Sequence, residues 1–122
     1  MQGEGPRARP FDIYERTFEF SIRDLEITPK LPLEPEAQIA RTQLARSGSS
    51  VGANTDESGG ARSKKERCKF LVIARREARE SRFWLRVIHR RWPHTVNVTA
   101  DIQEATEIRN ILSAMIQNLE AA

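Results

Sequence analysis

The sequence predicts an all-α fold, an antiparallel up-down-up-down left-handed four-helix bundle. Four segments have apolar residues at helical spacing, turn-forming residues separate them, and no useful stretch of β-type alternation is present. The 122 residues suffice for one domain with one core. We expect a flexible N-terminal tail over residues 1–10 and a single four-helix domain over residues 11–122.

The first helix is predicted from Asp12 to about Ile27. Asp12 is a favoured capping residue, and Glu15 places an acid in the first turn. Pro29 and Pro32 end the helix, because proline disfavours a helical conformation of the preceding residue. The expected core-facing stripe consists of Phe11, Tyr14, Phe18, Ser21 or Ile22, and Leu25.

The second helix is predicted from Pro35 to about Ser58, despite an unfavourable central composition. Its middle is rich in Gly, Ser and Asn, which compete with helix formation. An unbroken heptad seam nevertheless predicts one continuous helix. The seam consists of Ala37, Ala40, Leu44, Ser47, Val51, Asn54 and Ser58. Such small side chains favour a close approach of neighbouring helices, and a buried Ser or Asn requires a hydrogen-bond partner.

The third and fourth helices have clear limits. Ser63 and Glu66 form a capping box, and Pro93 closes the third helix. Thr99 or Asp101 is expected to cap the fourth. The expected buried stripe of the third helix is Phe70, Leu71, Ala74, Ala78, Ser81, Leu85 and Ile88. That of the fourth is Ile102, Ala105, Ile108, Leu112, Met115 or Ile116, and Leu119.

Charge is distributed unevenly along the chain, although the net charge is only +3. Residues 63–91 contain eleven bases and three acids, which gives that segment a net charge of +8. Residues 12–27 contain five acids and two bases. This asymmetry indicates either pairing between segments or an anionic partner for the basic one.

The third helix has features beyond a single buried stripe. At about 100° per residue, an apolar strip lies opposite the buried stripe, and a row of arginines forms one flank. The strip, Val72, Phe83 and Val87, is a candidate oligomer interface, because a helix of a lone bundle needs only one buried stripe. The arginine row, Arg75, Arg79, Arg82, Arg86 and Arg90, is a candidate nucleic-acid contact through phosphates. The alternative for the row is a solvated face, or ion pairs to the acidic first helix and to Asp101, Glu104 and Glu107.

Two consecutive motifs carry a resemblance to a known family. The stretch Arg46-Ser47-x-x-Ser50-Val51-Gly52-Ala53-Asn54-x-x-Glu57 continues into Gly60-x-x-Ser63-x-x-Glu66-x-x-x-Phe70. Ile73-Ala74-x-x-Glu77-Ala78-Arg79-Glu80-x-x-x-Trp84-Leu85 follows on the third helix. This pattern resembles the four-helix-bundle family named after the 23S rRNA intervening-sequence protein, over roughly residues 11 to 120. Ser58 departs from the pattern, since glycine is frequent there.

The resemblance implies a homopentamer of bundles with no known catalytic activity. Family genes can lie inside sequences inserted in ribosomal RNA genes. A related branch is the accessory variability protein of diversity-generating retroelements, which binds nucleic acid beside a reverse transcriptase. The family's polar signature falls on Arg46, Ser47, Asn54, Glu57 and Glu80, either as a ligand site or as a buried network that fixes helix register. We expect the structural role, because these residues include no nucleophile–base pair.

Composition restricts the remaining function classes. No apolar run approaches the roughly 18 residues of a membrane-spanning helix, so no membrane partner is expected. Cys68 is the single cysteine, which suits a reducing cytoplasm, and with two histidines it makes no zinc-ligand set. We expect no cofactor, no metal, no small-molecule substrate and no enzymatic activity. Two functions stay open: an oligomeric scaffold associated with RNA or DNA, and a purely structural or protein-binding oligomer.

Overall fold

The computed structural model describes residues 12–121, which form four helices and no strand. The helices are α1 (Ile13–Ile27), α2 (Pro35–Gly59), α3 (Lys64–Arg91) and α4 (Thr99–Ala121), with a single 3-10 turn at Thr28–Lys30 after α1. The predicted all-α four-helix fold is therefore confirmed. The predicted tail over residues 1–10, Phe11 and Ala122 lie outside the described residues.

Side-chain caps set several of the helix ends. The Asp12 carboxylate accepts hydrogen bonds from the backbone N–H groups of Tyr14 and Glu15, at 2.9 and 3.4 Å. Ser63 Oγ accepts from Glu66 N at 3.0 Å. The Glu66 carboxylate accepts a hydrogen bond from the backbone N–H of Arg62 at 2.8 Å. In a capping box the donor would be the N–H of Ser63, one residue later.

The cap predicted for the fourth helix was wrong. Asn97 Oδ1 accepts from the backbone N–H of Thr99 at 3.1 Å and from its hydroxyl at 2.8 Å. An Asn side chain serves this purpose as well as Thr or Asp. Asp101 is instead buried and paired with Arg23 of α1.

Contacts between neighbouring helices run in opposite residue order. Arg16 bonds Glu104 and Arg23 bonds Asp101, so α1 and α4 approach with opposed directions. The same opposition holds for α2 and α3, where Glu34 meets Trp92 and Ser47 meets Ser81. On α3 and α4, Arg75 meets Ser113 and Arg82 meets Thr106. These contacts support the predicted up-down-up-down arrangement, which stays a prediction, and the predicted left-handedness stays a prediction that they do not test.

The core is formed from one buried stripe of each helix. The predicted seam of α2 is fully buried except at Asn54, whose place in the core is taken by Thr55. Val51 and Leu44 have no exposed surface. The helix is unbroken through its Gly- and Ser-rich centre, because tertiary packing outweighs weak helix propensity.

The predicted core face of α1 was wrong except at Ser21, one of the two alternatives given for that position, which is buried. Its buried residues are Ile13, Thr17, Phe20, Ser21, Asp24 and Ile27. Four of the residues expected inside are exposed instead: Tyr14 (37%), Phe18 (54%), Ile22 (38%) and Leu25 (45%). We call these four the α1 outer strip. The more apolar stripe of α1 thus faces away from the bundle, and a stripe with three polar residues, Thr17, Ser21 and Asp24, faces inward.

Within residues 12–121, no helix is both long enough and apolar enough to span a membrane.

Candidate functional site

The arginine row lies along the side of α3 that borders α4. Two of its members bond to α4, where Arg75 reaches Ser113 Oγ at 3.4 Å and Arg82 reaches Thr106 Oγ1 at 2.9 Å. The other three, Arg79, Arg86 and Arg90, are exposed and make no hydrogen bond or ion pair to another described residue. Three guanidinium groups of the row therefore face solvent along one helix flank.

The acids of α4 that could have neutralised the row are engaged by α1. Arg16 bonds Glu104 through two nitrogens, at 2.7 and 2.8 Å, and Glu107 at 2.5 Å. Arg23 bonds both carboxylate oxygens of Asp101, at 2.9 and 3.2 Å. These hydrogen bonds to carboxylates raise the pKa of both arginines. The ion pairs proposed for the row from sequence are therefore made by other arginines.

The apolar strip of α3 lies on the outside of the bundle, and we call it the α3 outer strip. Phe83 is 54% exposed, Val72 is 37% exposed and Val87 is half-buried. The Phe83 ring meets the half-buried Trp84 edge to face, with ring centroids 5.0 Å apart. The position of all three side chains away from the core agrees with the helical spacing.

The polar signature divides into two separate groups. Arg46 of α2 pairs with two carboxylates of α3, Glu80 and Glu77, the latter at 3.3 Å. One layer inward, Ser81 Oγ donates to Ser47 Oγ at 2.9 Å, and both serines have no exposed surface. This group ties α2 to α3 at one height and pairs the Glu77 and Glu80 carboxylates with Arg46, while Arg76 Nη2 lies 3.8 Å from Glu77 Oε2.

Asn54 and Glu57 lie further along α2, apart from that network. Asn54 Nδ2 donates to Ser50 O at 2.9 Å and to Ser50 Oγ at 2.8 Å, within its own helix. Glu57 is exposed near the end of the helix. The structure thus brings together Arg46, Ser47 and Glu80, and does not bring Asn54 or Glu57 to them.

A buried carboxyl group between α1 and α2 was missed by the sequence interpretation. Asp24 has no exposed surface, and neither of its carboxylate oxygens has a hydrogen-bond partner among the described residues. It lies against Gly48, where a Cβ atom would come within 2.3 Å of its Oδ2. Burial, reinforced by the nearby Asp101 carboxylate and opposed by Arg23, raises the pKa of Asp24 to about 8.

Close helix approach explains this burial. Ser21 Oγ donates to Gly48 O at 2.6 Å and accepts from Gly52 N at 3.0 Å. A Cβ at Gly52 would lie 2.5 Å from Ser21 Oγ and 3.0 Å from the carbonyl oxygen of Thr17. The two glycines therefore allow α1 to lie directly on the backbone of α2. The heptad spacing of Ile13, Phe20 and Ile27 was the sequence signal that could have placed Asp24 inside.

Comparison with known proteins identifies the family. A family model described as 23S rRNA-intervening sequence protein matches residues 9–117, nearly the whole chain. This chain belongs to that family. The solved structure of a protein of unknown function from the S23 ribosomal protein family of Bacteroides thetaiotaomicron VPI-5482 is 30% identical, with a TM-score of 0.77. The alignment covers 85% of this chain and 97% of that one. No curated protein matches the chain.

Membership of the intervening-sequence family agrees with the resemblance drawn from Arg46 to Leu85. The family match supports the four-helix fold and carries no established activity. The residues described here hold no group of three or more His, Cys, Asp or Glu side chains placed to bind a metal ion. Any function therefore has to be argued from the exposed surfaces of this chain.

Proposed function

We propose that this intervening-sequence family protein is a non-enzymatic, cytoplasmic homo-oligomeric scaffold that contacts RNA or DNA through the arginine row. The observation that carries the proposal is the state of Arg79, Arg86 and Arg90, which are exposed and without a described partner. Guanidinium groups bind phosphate oxygens through charge-assisted hydrogen bonds. A row along one helix follows a phosphate backbone without reading its base sequence.

The absence of a catalytic role in this proposal rests on the polar groups themselves. Glu77 and Glu80 both pair with Arg46, so neither carboxylate stands ready as a general base. His89 and His94 are exposed near the end of α3, and Cys68 is half-buried on its first turns. Among the described residues, none of these groups makes a hydrogen bond that would pair a nucleophile with a base.

Self-assembly is the second part of the proposal, and the α3 outer strip supports it. An exposed phenylalanine flanked by two valines on one helix face is typical of a surface that another chain covers. The family resemblance suggests five subunits. The alternative function, a purely structural or protein-binding oligomer, is favoured by the same strip, since it needs no role for the arginines.

Salt-dependent retention on immobilised RNA and DNA tests the nucleic-acid role. Each phosphate contact makes the logarithm of the affinity fall with the logarithm of salt, by about 0.9 for duplex DNA. We expect the double variant Arg79→Glu/Arg86→Glu to lose retention and to reduce the salt slope by about two. Its mass in solution should stay that of the parent, because exposed charges contribute little to association.

Lys30→Glu/Arg62→Glu is the matched control, because both side chains are exposed bases outside the row and the charge change is equal. This control should retain at least the parent's salt slope. Equal losses in the two variants would show that net charge alone governs retention. Loss of the oligomer in Arg79→Glu/Arg86→Glu would assign the row to assembly, and the structural alternative would then stand.

A further inference from the structure

Two exposed apolar strips on opposite parts of the subunit carry opposite charges. The α1 outer strip has acids beside it, and the exposed ones are Glu15, Glu19 and Glu26. Exposed bases lie along the α3 outer strip and beside it: Lys69 and Arg76 continue the heptad spacing of Phe83, and Arg79, Arg86 and Arg90 lie on the flank toward α4. Each strip contains one phenylalanine that is 54% exposed, Phe18 on α1 and Phe83 on α3.

Each strip also borders a groove. The groove beside the α1 outer strip has a volume of about 480 Å³, and small residues of α2, Ser49, Gly52 and Ala53, line its other side. The groove beside the α3 outer strip, about 590 Å³, includes Ile39, Trp84 and Trp92. A protruding ring and a neighbouring groove of similar size on each strip allow mutual insertion of the two rings.

Charge disfavours a symmetric pairing of either strip with itself. An α3–α3 contact would place Lys69 and Arg76 near the same bases of the second copy. An α1–α1 contact would do the same for three glutamates. Like charges across an interface act against association, whereas complementary faces favour one partner and one orientation.

We infer that the α1 outer strip of one subunit docks on the α3 outer strip of a second copy of this chain, in a head-to-tail contact. The inference rests on the self-assembly part of the proposed function and specifies which two surfaces meet. The apolar strips supply the buried area, and Lys69 and Arg76 against the glutamates of α1 set the orientation, so the arginine row on the α4 side keeps its proposed role toward phosphate. Since each subunit carries both strips, repetition of the contact builds a closed ring if the rotation between neighbours closes.

Complementation between two interface variants tests this contact. Phe18→Glu and Phe83→Glu each place a carboxylate in one strip, and both positions are exposed, so circular dichroism should show the parent's helical content. Each variant alone should have a lower mass by light scattering than the parent. Mixed in equal amounts, they should form a 1:1 heterodimer, because the intact α3 strip of Phe18→Glu meets the intact α1 strip of Phe83→Glu.

Leu33→Glu is the control, since Leu33 is 93% exposed and belongs to neither strip, and it should keep the parent's mass. A lower mass for Phe83→Glu with the parent's mass for Phe18→Glu would overturn the inference and leave self-assembly standing. A mixture without heterodimer would also overturn it, in favour of symmetric contacts. A parent that is monomeric at all concentrations would overturn the proposed self-assembly and this inference together.

Discussion

Replacement of Asp24 by asparagine should change how the stability of the protein depends on pH. The carboxyl group has no exposed surface and no hydrogen-bond partner among the described residues, and its pKa is raised to about 8 from a reference of 3.8. A buried, unpaired carboxylate is costly, so the folded protein keeps the proton that the unfolded chain releases. Asparagine has the same shape and does not ionise.

The sign and size follow from linkage between proton binding and folding. Below pH 3.8 both states are protonated, and Asp24 has no effect on the pH dependence. Between pH 3.8 and about 8 the folded state binds the extra proton, so the free energy of unfolding falls by about 1.4 kcal/mol per pH unit from this group. Above pH 8 the loss is complete, at roughly 6 kcal/mol as an order of magnitude. That is comparable with the whole stability of a small domain.

Urea unfolding at constant protein concentration, followed by circular dichroism from pH 5 to pH 9, measures the effect. The difference in unfolding free energy between Asp24→Asn and the parent should increase with pH and level off above pH 8. The buried amide of asparagine also changes the free energy of unfolding by about 1–3 kcal/mol at every pH, and this constant change leaves its slope against pH unaltered. For the control Asp56→Asn, at an exposed position of α2, the unfolding free energy should depend on pH as it does in the parent. Parallel curves for Asp24→Asn as well would refute the assignment of a buried, protonated carboxyl group.

Two further predictions concern the helix α2. Gly48→Ala should destabilise the fold by about 1–3 kcal/mol despite the better helix propensity of alanine, because the new Cβ would lie 2.6 Å from Cβ of Asp24 and α1 would have to move. Ser49→Ala, at the exposed neighbouring position, should unfold at the parent's urea midpoint. Equal midpoints for the two variants would show that α1 and α2 are further apart. Val51→Trp should lower the thermal midpoint strongly through overpacking, since Val51 has no exposed surface. Thr42→Trp, at an exposed position of the same helix outside both grooves, is the comparison. An unchanged midpoint for Val51→Trp would show that the seam is not buried.

The sequence predicted α2 and α3 well because their patterns are strong. A heptad seam of small residues outweighed the loop-like composition around Gly48 and Gly52, and six of its seven members are buried. The exception, Asn54, makes its hydrogen bonds within its own helix, while Thr55 fills the core position. Threonine does so at little cost, because its hydroxyl donates to the Val51 carbonyl at 2.8 Å.

The orientation of α1 could not be predicted by choosing the more apolar stripe. Burial against α2 selects residues that fit a close helix pair, and Ser21 and Asp24 fit against Gly48 where larger apolar side chains would not. The larger residues, Tyr14, Phe18, Ile22 and Leu25, are left outside. Hydrophobic content therefore marks two different surfaces of α1, and the heptad spacing of Ile13, Phe20 and Ile27 together with the complementary glycines on α2 indicates which of them is the core.

Gly52 connects the fold of the subunit to its proposed assembly. Its N–H donates to Ser21 Oγ, and the lack of a side chain allows α1 to approach to that distance. The same residue lines the groove beside the α1 outer strip, next to Ser49 and Ala53. A larger residue at position 52 would both push α1 away and fill the groove that the second copy is inferred to occupy. The loop-like composition of α2 therefore has one physical reason in the close packing against α1 within one subunit, and the inferred assembly would give it a second, room for Phe83 of the next subunit.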